Sequence, residues 1–279
     1  DSRKLDPVKA GSYTLEQWLK LWYSVYVEPQ VQYSTKEFYH NAIDHHIIPK
    51  LGSVKLEKLT MLQIQQFYNE LLKSGRVQKK NQPELKEHSL SPRMVQCVHV
   101  VLNKALEHAV EEKLILANPA KKCRIPKNTR KEMNILPEAL IGPYLSTAKE
   151  HGILAPMYLE LTTGLRRGEL LGLEWPDIDF DNRIITVCRE SQYNPTDGLY
   201  TDTPKTASSR RTLKLPQVVF DVLRAYRADQ NATRLSYGDQ WHDSGRLFTG
   251  EDGKPMHPNT PYTWLKRFCE RTDQPFYGV

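Results

Sequence analysis

Residues 162–179 read TTGLRRGELLGLEWPDID, and this stretch decides how the chain is interpreted. Gly164 is typical of a helix end, and the pattern predicts a new helix from about Leu165. Arg166 and Glu169 are three residues apart, so a helix places them on the same face. A guanidinium oriented in this way can grip two oxygens of one phosphate. The spacing alone favours a plainer alternative, a surface arginine–glutamate pair at a helix start.

The rest of the second half mixes helices and strands. The apolar periodicity predicts helices over residues 137–150, 155–162, 217–227 and 262–271. Two segments alternate in polarity and are predicted as strands, residues 183–187 and 211–215. A polar segment containing Pro195, Gly198 and Pro204 lies between the two strands.

The first half is predicted to be helical, because each apolar-periodic segment follows a capping signal. The four signals are Thr14 to Gln17, Ser34 to Glu37, Thr60 to Gln63, and Ser91 followed by Pro92. We expect Pro49 and Gly52 to end the second helix. Residues 76–87 are polar and are predicted to form a loop. Residues 121–131 are basic, marked by proline and without periodicity, which is typical of a linker.

Composition and charge restrict the classes of protein to which the chain can belong. The chain has 279 residues, 39% hydrophobic and 26% charged, which suffices for packed cores. Residues 1–130 contain 21 Lys and Arg against 13 Asp and Glu, whereas residues 131–279 contain 18 against 20. The basic first half suggests a polyanionic partner. No apolar run approaches the roughly 18 residues of a membrane span, and the polar start predicts no signal peptide.

The cysteines give no sign of a metal site. The chain has four, Cys97, Cys123, Cys188 and Cys269, and they form no C-x-x-C pair. A zinc site needs clustered ligands, so we predict reduced thiols and no metal.

Two motifs resemble those of a known family. T-G-L-R-x-G-E-L-x-x-L-x-W-x-D-I-D, in residues 163–179, resembles the first catalytic-arginine box of the tyrosine recombinases, the phage-integrase-type enzymes. P-K-T-x-S-S-x-R, in residues 204–211, is similar to integrases of conjugative transposons. The helical first half with its basic linker resembles the core-binding domain of that family. The resemblance runs from about residue 12 to residue 279.

The resemblance implies a fold and a domain order. We expect two domains, an all-α core-binding domain followed by an α+β catalytic domain, mainly helical with a small antiparallel sheet, that form a clamp around DNA. The expected divisions are an N-terminal extension over residues 1–11, the core-binding domain over 12–120, a basic linker over 121–134 and the catalytic domain over 135–279.

The resemblance also implies a chemistry. The family cuts and rejoins DNA through a phosphotyrosine intermediate, which conserves the bond energy, so no cofactor is expected. By resemblance, Arg166 is the first phosphate-binding arginine, Lys205 is the general acid and Glu169 is the supporting acidic residue. Arginines stabilise the charge that develops on the phosphate oxygens, and a lysine can protonate the leaving 5′-oxygen. The expected function is integration and excision of a mobile element.

Part of the family pattern is missing from residues 1–279. The family has an H-x-x-R box, a further His or Trp and then the nucleophilic tyrosine, and none of these is present. Tyr277 precedes the position expected for the H-x-x-R box, so we reject it as the nucleophile. We therefore expect the chain to be part of a longer integrase, unable to cleave DNA as it stands but able to bind it.

Double-stranded DNA is the expected partner, with a dimer to tetramer assembled on it and possible DNA-bending or excision factors. Helix starts suit phosphate contacts, and a basic linker suits the DNA backbone. The candidate DNA-binding residues are Ser34, Thr35, Lys36, Ser91, Arg93, Lys121, Lys122, Arg124, Lys127 and Arg130. The expected location is the bacterial cytoplasm, associated with the nucleoid.

Two other classes stay open at the level of sequence. The first is a non-catalytic DNA-binding protein on the same scaffold, which would not need Arg166 or Lys205. The second is a metal-dependent nuclease or transposase, for which the only obvious acidic cluster is Asp177, Asp179 and Asp181. Strand alternation would place these three carboxylates on one face, but the three residues more simply indicate a strand edge and a turn.

Overall fold

The computed structural model of the chain describes residues 13–78, 84, 87–128, 135–202, 210–273 and 275. The chain divides into two compact units, Asp1–Arg130 and Lys131–Val279. The predicted divisions at residues 11, 120 and 134 stay predictions.

The described part of the first unit consists of helices and connecting turns. The α-helices are α1 (Leu15–Trp22), α2 (Tyr33–His40), α3 (Ile48–Leu51), α4 (Met61–Ser74) and α5 (Pro92–Glu111). Segments of π-helix cover Tyr23–Val27 and Asn41–Ile47, and short 3-10 turns cover Glu28–Gln30 and Leu56–Lys58.

The capping signals set most of these helix starts, as predicted. The hydroxyls of Thr14, Thr60 and Ser91 each accept a backbone N–H three residues further on, at 3.3 Å. Each bond satisfies a donor that the first helical turn leaves without a partner. The pairs Thr14–Gln17 and Thr60–Gln63 form complete capping boxes, in which each side chain bonds to the backbone of the other residue.

The second helical segment corrects the sequence prediction. It starts at Tyr33, and Pro49 does not end it, since helical backbone runs from Tyr33 to Leu51. The π-helical residues Asn41–Ile47 precede α3, and Pro49 lies in the first turn of α3, where a proline is tolerated. Gly52 follows as the C-cap.

The first unit has one aromatic-rich core, to which α1, α4 and α5 contribute. Trp18 and Trp22 are buried, and their indole N–H groups donate to the carbonyl oxygen of Ala105 and to Nδ1 of His108, both at 2.8 Å. Each large apolar ring is therefore buried with its polar atom satisfied. These bonds connect the first and last helices of the unit across more than 80 residues of sequence.

The second unit combines helices with two small sheets. Its α-helices are α6 (Glu138–Glu150), α7 (Leu154–Thr163), α8 (Arg167–Gly172), α9 (Gln217–Tyr237) and α10 (Thr260–Thr272). Its strands are β1 (Ile178–Asp179), β2 (Ile184–Val187), β3 (Glu190–Asn194), β4 (Gly198–Asp202) and β5 (Arg211–Lys214). Short 3-10 turns cover Trp175–Asp177 and Gly238–Gln240.

The two predicted strands pair with each other. The first sheet has the order β1-β2-β5, all antiparallel, with Val187 opposite Arg211 and Ile185 opposite Leu213. The buried side chains of Ile185 and Val187 join a core with residues of α7, α8 and α9.

The hairpin β3–β4 lies where the sequence predicts only a polar connection between two strands. The two strands pair from Glu190 opposite Asp202 to Asn194 opposite Gly198. The Asn194 side chain accepts the Asp197 backbone N–H at 2.6 Å, and Gly198 provides a φ of +76°. Because polar side chains occupy much of this hairpin, its strands carry little of the apolar alternation that identifies a strand in a sequence.

Two glycines let α8 pack closely on β3. A Cβ on Gly168 would lie 3.0 Å from the carbonyl oxygen of Ser191. A Cβ on Gly172 would lie 2.8 Å from the carbonyl oxygen of Arg189 and 3.0 Å from Cα of Glu190. The glycines are four residues apart, so they share the helix face that meets the strand.

Within the described ranges, no helix combines the length and the apolarity that crossing a bilayer requires.

Gly172→Ala is expected to destabilise the second unit by about 1–3 kcal/mol, because the backbone of β3 must move away from the added methyl group. The matched control is Gly142→Ala inside α6, where an added Cβ meets nothing within 4 Å. The control should be neutral or stabilising by about 0.5–1 kcal/mol. Urea denaturation of both variants checks this, and equal effects would contradict the close packing of α8 on β3.

Candidate active site and nucleic-acid interface

The backbone between α7 and α8 presents Arg166. Gly164 ends α7 with a φ of +61°, a left-handed conformation that favours glycine. Leu165 is buried and fixes the turn in the core, and Arg166 follows in extended conformation as the N-cap of α8. The helix therefore begins at Arg167, two residues later than predicted. Arg166 is held at the surface by a buried residue on one side and a helix on the other.

Glu169 fixes the orientation of Arg166, but through capping of α8, because Arg166 is the extended N-cap and does not share a helix face with Glu169 at position N3. The carboxylate accepts the backbone N–H of Arg166 at 2.9 Å and Nη1 of its guanidinium at 3.1 Å. The side chain of Glu169 is 2% exposed, whereas that of Arg166 is 75% exposed. The buried carboxylate is thus an anchor, and the guanidinium is available to a ligand.

Arg211 is the member of this site that sequence reasoning missed. It donates from Nη1 and Nη2 to the two carboxylate oxygens of Glu169, at 3.0 and 2.9 Å. Arg211 opens β5 and shares the half-buried face of that strand with Leu213. An arginine on an inward position of a predicted strand was the signal, because a buried guanidinium needs an acidic partner.

The two arginines keep Glu169 ionised. Burial by itself would raise the pKa of this carboxyl, but the hydrogen bonds from Arg211 and from the Arg166 backbone, with the two positive charges, lower its pKa to about 2. One carboxylate between two guanidinium groups leaves the cluster with a net positive charge. An anion is therefore the ligand that this cluster suits.

The candidate general acid cannot be placed beside this cluster. Lys205 lies outside the described residues, as do Thr203–Ser209 around it and Tyr277 near the end of the chain. In sequence, Lys205 is six residues before Arg211.

Of the three acidic residues considered for a metal-dependent nuclease, Asp177 and Asp179 have structural partners. Asp177 lies in a 3-10 turn, accepts the Glu174 backbone N–H at 2.8 Å and pairs with Arg189. Asp179 accepts the backbone N–H groups of Asp181 and Asn182, at 3.0 and 2.9 Å. Only Asp179 is in a strand, so the three carboxylates do not share a strand face. The described part of the chain contains no group of three or more His, Cys, Asp or Glu arranged to hold a metal.

Two sets of candidate DNA-binding residues lie at helix starts in the first unit. Ser34, Thr35 and Lys36 are in the first turn of α2, and Lys36 lies 3.8 Å from Glu28. The Ser91 hydroxyl caps α5, and Arg93 is exposed in the first turn of that helix. Ser91 lies at the predicted helix start, whereas Ser34 lies inside the first turn of α2, whose N-cap is Gln32. DNA contact by these residues stays a prediction.

The basic strap, defined as residues 121–128, is fixed to the helical unit by two glutamines. Gln65 of α4 accepts the Arg124 backbone N–H at 2.7 Å and donates to the Arg124 carbonyl oxygen at 3.1 Å. Gln96 of α5 donates to the Pro126 carbonyl oxygen at 2.9 Å. The charged side chains of the strap are exposed, namely Lys121, Lys122, Arg124 and Lys127. Arg130, the last candidate, lies outside the described residues.

Comparison with known proteins gives matches over both units. Residues 14–72 match the phage integrase N-terminal SAM-like domain, and residues 138–276 match the phage integrase family. A tyrosine recombinase XerC-like protein of Caldanaerobacter subterraneus is 26% identical, over 81% of this chain and 59% of its own length. The chain spans between 51% and 66% of the first four curated relatives that it matches.

Solved structures share the fold. The Tn1549 transposon integrase in complex with a circular intermediate DNA superposes with a TM-score of 0.76, at 20% identity, over 94% of this chain and 79% of that one. A lambda integrase tetramer bound to a Holliday junction superposes with a TM-score of 0.68, at 17% identity, over 100% of this chain and 74% of that one. The two-unit architecture of helices and a small antiparallel sheet is therefore the fold of these integrases.

Removing the charge of Glu169 is expected to destabilise the second unit in a pH-dependent way. The pKa of Glu169 is about 2 when folded, against an ordinary value of 4.5, so its stabilising effect is complete above about pH 4.5 and is lost as the pH falls through about 2. Glu169→Gln should lower the free energy of unfolding by about 2–3 kcal/mol at pH 7, with the difference shrinking towards pH 2.

Urea denaturation of wild type and Glu169→Gln between pH 2 and 7 measures this difference. The control is Asp221→Asn, which removes an exposed carboxylate 3.0 Å from Arg224 and should have little effect. A difference for Glu169→Gln that does not change with pH would contradict the assignment.

Proposed function

Since the chain belongs to the phage integrase family, whose members include tyrosine recombinases, we propose that it binds duplex DNA and serves in site-specific strand cleavage and rejoining. The observation that carries the proposal is the cluster of Arg166, Glu169 and Arg211. It joins the two sequence boxes of the family, since Arg166 and Glu169 come from the first and Arg211 ends the second.

In the proposed reaction, Arg166 binds a non-bridging oxygen of the target phosphate. Attack by a tyrosine hydroxyl, whose proton passes to a general base, forms the phosphorus–oxygen bond of a phosphotyrosine and breaks the bond to the 5′-oxygen. Negative charge develops on the non-bridging oxygens, and a preorganised guanidinium stabilises it. Lys205 is proposed to protonate the 5′-oxygen as it leaves. No tyrosine of residues 1–279 is assigned as the nucleophile.

Glu169 supports this reaction without touching the DNA. Its buried carboxylate holds Arg166 through a backbone and a side-chain bond, so little reorganisation is needed when the phosphate arrives. Integration and excision of a mobile element are the proposed outcome, on the nucleoid. We also propose that several copies of the protein assemble on DNA and that DNA-bending factors assist them.

The first unit and the strap are proposed to contact the sugar–phosphate backbone. The strap supports this because its backbone is fixed by Gln65 and Gln96 while its cationic side chains face solvent. A fixed array of cations loses less conformational freedom on binding than a mobile one. The helix-start residues are proposed to add contacts to phosphates, namely Ser34, Thr35, Lys36, Ser91 and Arg93.

Arg166→Ala is expected to slow formation of a covalent protein–DNA adduct by about 100- to 1000-fold, because one stabilising charge leaves the transition state. The assay uses the product of the complete reading frame that contains residues 1–279, with duplex DNA from the region flanking that frame. Denaturing electrophoresis measures the adduct. Arg167→Ala is the matched control, since Arg167 is adjacent, exposed and bonded to Asn259 at 2.8 Å.

The control should keep its adduct rate within a few-fold of wild type. A wild-type protein that binds the DNA but forms no adduct would favour the non-catalytic DNA-binding alternative. An Arg166→Ala variant as active as wild type would overturn the role of Arg166.

The double variant Lys122→Gln/Lys127→Gln is expected to weaken DNA binding and to reduce its salt dependence. Each phosphate contact contributes about 0.9 to the slope of log affinity against log salt, so the slope should fall by about 2. Fluorescence anisotropy between 50 and 200 mM salt, concentrations at which such binding changes steeply, measures both quantities. The matched control is Lys20→Gln/Lys73→Gln, two exposed lysines outside the strap. Equal slopes for the two double variants would argue against the strap.

A further inference from the structure

Glu169 receives donors from three directions. Arg211 approaches with both terminal nitrogens, one to each oxygen, whereas Arg166 reaches Oε1 with a single nitrogen of its side chain and Oε2 with its backbone N–H. The two-pronged contact of Arg211 is the stronger geometry for a guanidinium and a carboxylate. The buried charge of Glu169 is therefore matched chiefly by Arg211.

This division of contacts decides how much charge Arg166 can offer. If Arg166 were the only partner of Glu169, the two charges would cancel, and the guanidinium would be drawn onto the buried carboxylate. With Arg211 present, the three side chains carry a net positive charge, and Arg166 is 75% exposed against 30% for Arg211. The surplus charge is thus presented on the side chain that faces solvent.

The backbone of Arg211 is also well fixed. It is the first residue of β5, and it pairs with Val187, which is fully buried in β2. Its side chain bonds to α8, so one residue connects the sheet to the helix that follows Arg166. The segment before Arg211 in sequence is the one that contains Lys205.

We propose that Arg211 is a positioning residue for the strand-transfer reaction: it neutralises Glu169, so that Glu169 can orient Arg166 without cancelling the charge that binds the target phosphate. The inference rests on the proposed function, because it concerns the same reaction. Arg211 does not touch the DNA in this scheme, and it acts through Glu169.

The scheme predicts an unusual dependence between two substitutions. Arg211→Met leaves Glu169 with Arg166 as its remaining partner in the cluster, so adduct formation should slow on the order of 100-fold, as expected when a reacting group is misplaced. Adding Glu169→Gln removes the carboxylate that captures Arg166, so Arg211→Met/Glu169→Gln should be about 10-fold faster than Arg211→Met alone. Among variants that are equally folded, a residue with only a structural role would give a double variant no faster than the single one.

The conservative variant Arg211→Lys separates charge from geometry. A lysine keeps the positive charge but has no fork for the two carboxylate oxygens, so this variant should lie between wild type and Arg211→Met. Each variant is checked for folding by two measurements. Its far-ultraviolet circular dichroism spectrum should match that of wild type, and its affinity for DNA should stay within about two-fold of wild type. Arg224→Met, which removes an exposed arginine paired with Asp221, is the matched control for loss of a cation.

The experiment is single-turnover adduct formation by the product of the complete reading frame, with wild type, the three variants and the control. A slow Arg211→Met rescued in part by Glu169→Gln supports the inference. An Arg211→Met as fast as wild type, or a double variant no faster than the single, overturns the inference while the proposed function stands. A wild-type protein that forms no adduct overturns the proposed function and this inference with it.

Discussion

The second unit is organised around one buried carboxylate between two guanidinium groups. Removing Glu169 from water is costly, and only close hydrogen-bonding partners of opposite charge can offset that cost. Arg211 and the backbone of Arg166 provide them, and in return their own positions are fixed. A single ion cluster therefore sets the geometry of the helix start, of the strand start and of the guanidinium that faces solvent.

The surrounding fold fixes the positions of the three residues in the cluster. Leu165 and Leu170 are buried on either side of Arg166 and Glu169, so the turn cannot rotate without exposing apolar surface. The first sheet holds Arg211 through its pairing with Val187. The described part of the first unit does not depend on a buried ion cluster of this kind. Its distant helices are connected by buried tryptophans, which are bonded to Ala105 and His108.

Local sequence signals predicted much of the fold correctly. Three of the four predicted helix caps form as expected, and both predicted strands pair, because caps and apolar alternation act over a few residues. The hairpin β3–β4 escaped prediction, since its polar strands show no such alternation. The sequence predicts that Pro49 ends a helix, but the helical backbone continues through it to Leu51.

The site was predictable in part, because some of its contacts join residues that are close in sequence. Arg166 and Glu169 are near in sequence, and their pairing follows from the contact between the N-cap and the third residue of α8. Arg211 is 42 residues from Glu169, and the two glutamines that fix the strap are about 30 and 59 residues from their partners. Contacts across such distances depend on the packing of whole elements, which local patterns do not specify.

The shortness of α8 has a consequence for motion. A helix of six residues is far too short to be stable by itself, so its persistence depends on what packs against it. One support is the close contact of Gly168 and Gly172 with β3, and the others are the buried Leu170 and Leu171 and the bonds from Arg211 to Glu169. An opening of the hairpin would remove the first of these supports and so loosen the helix start that holds Arg166. The fraction of molecules ready to bind a phosphate would then depend in part on the local stability of a hairpin that carries none of the residues assigned to the chemistry.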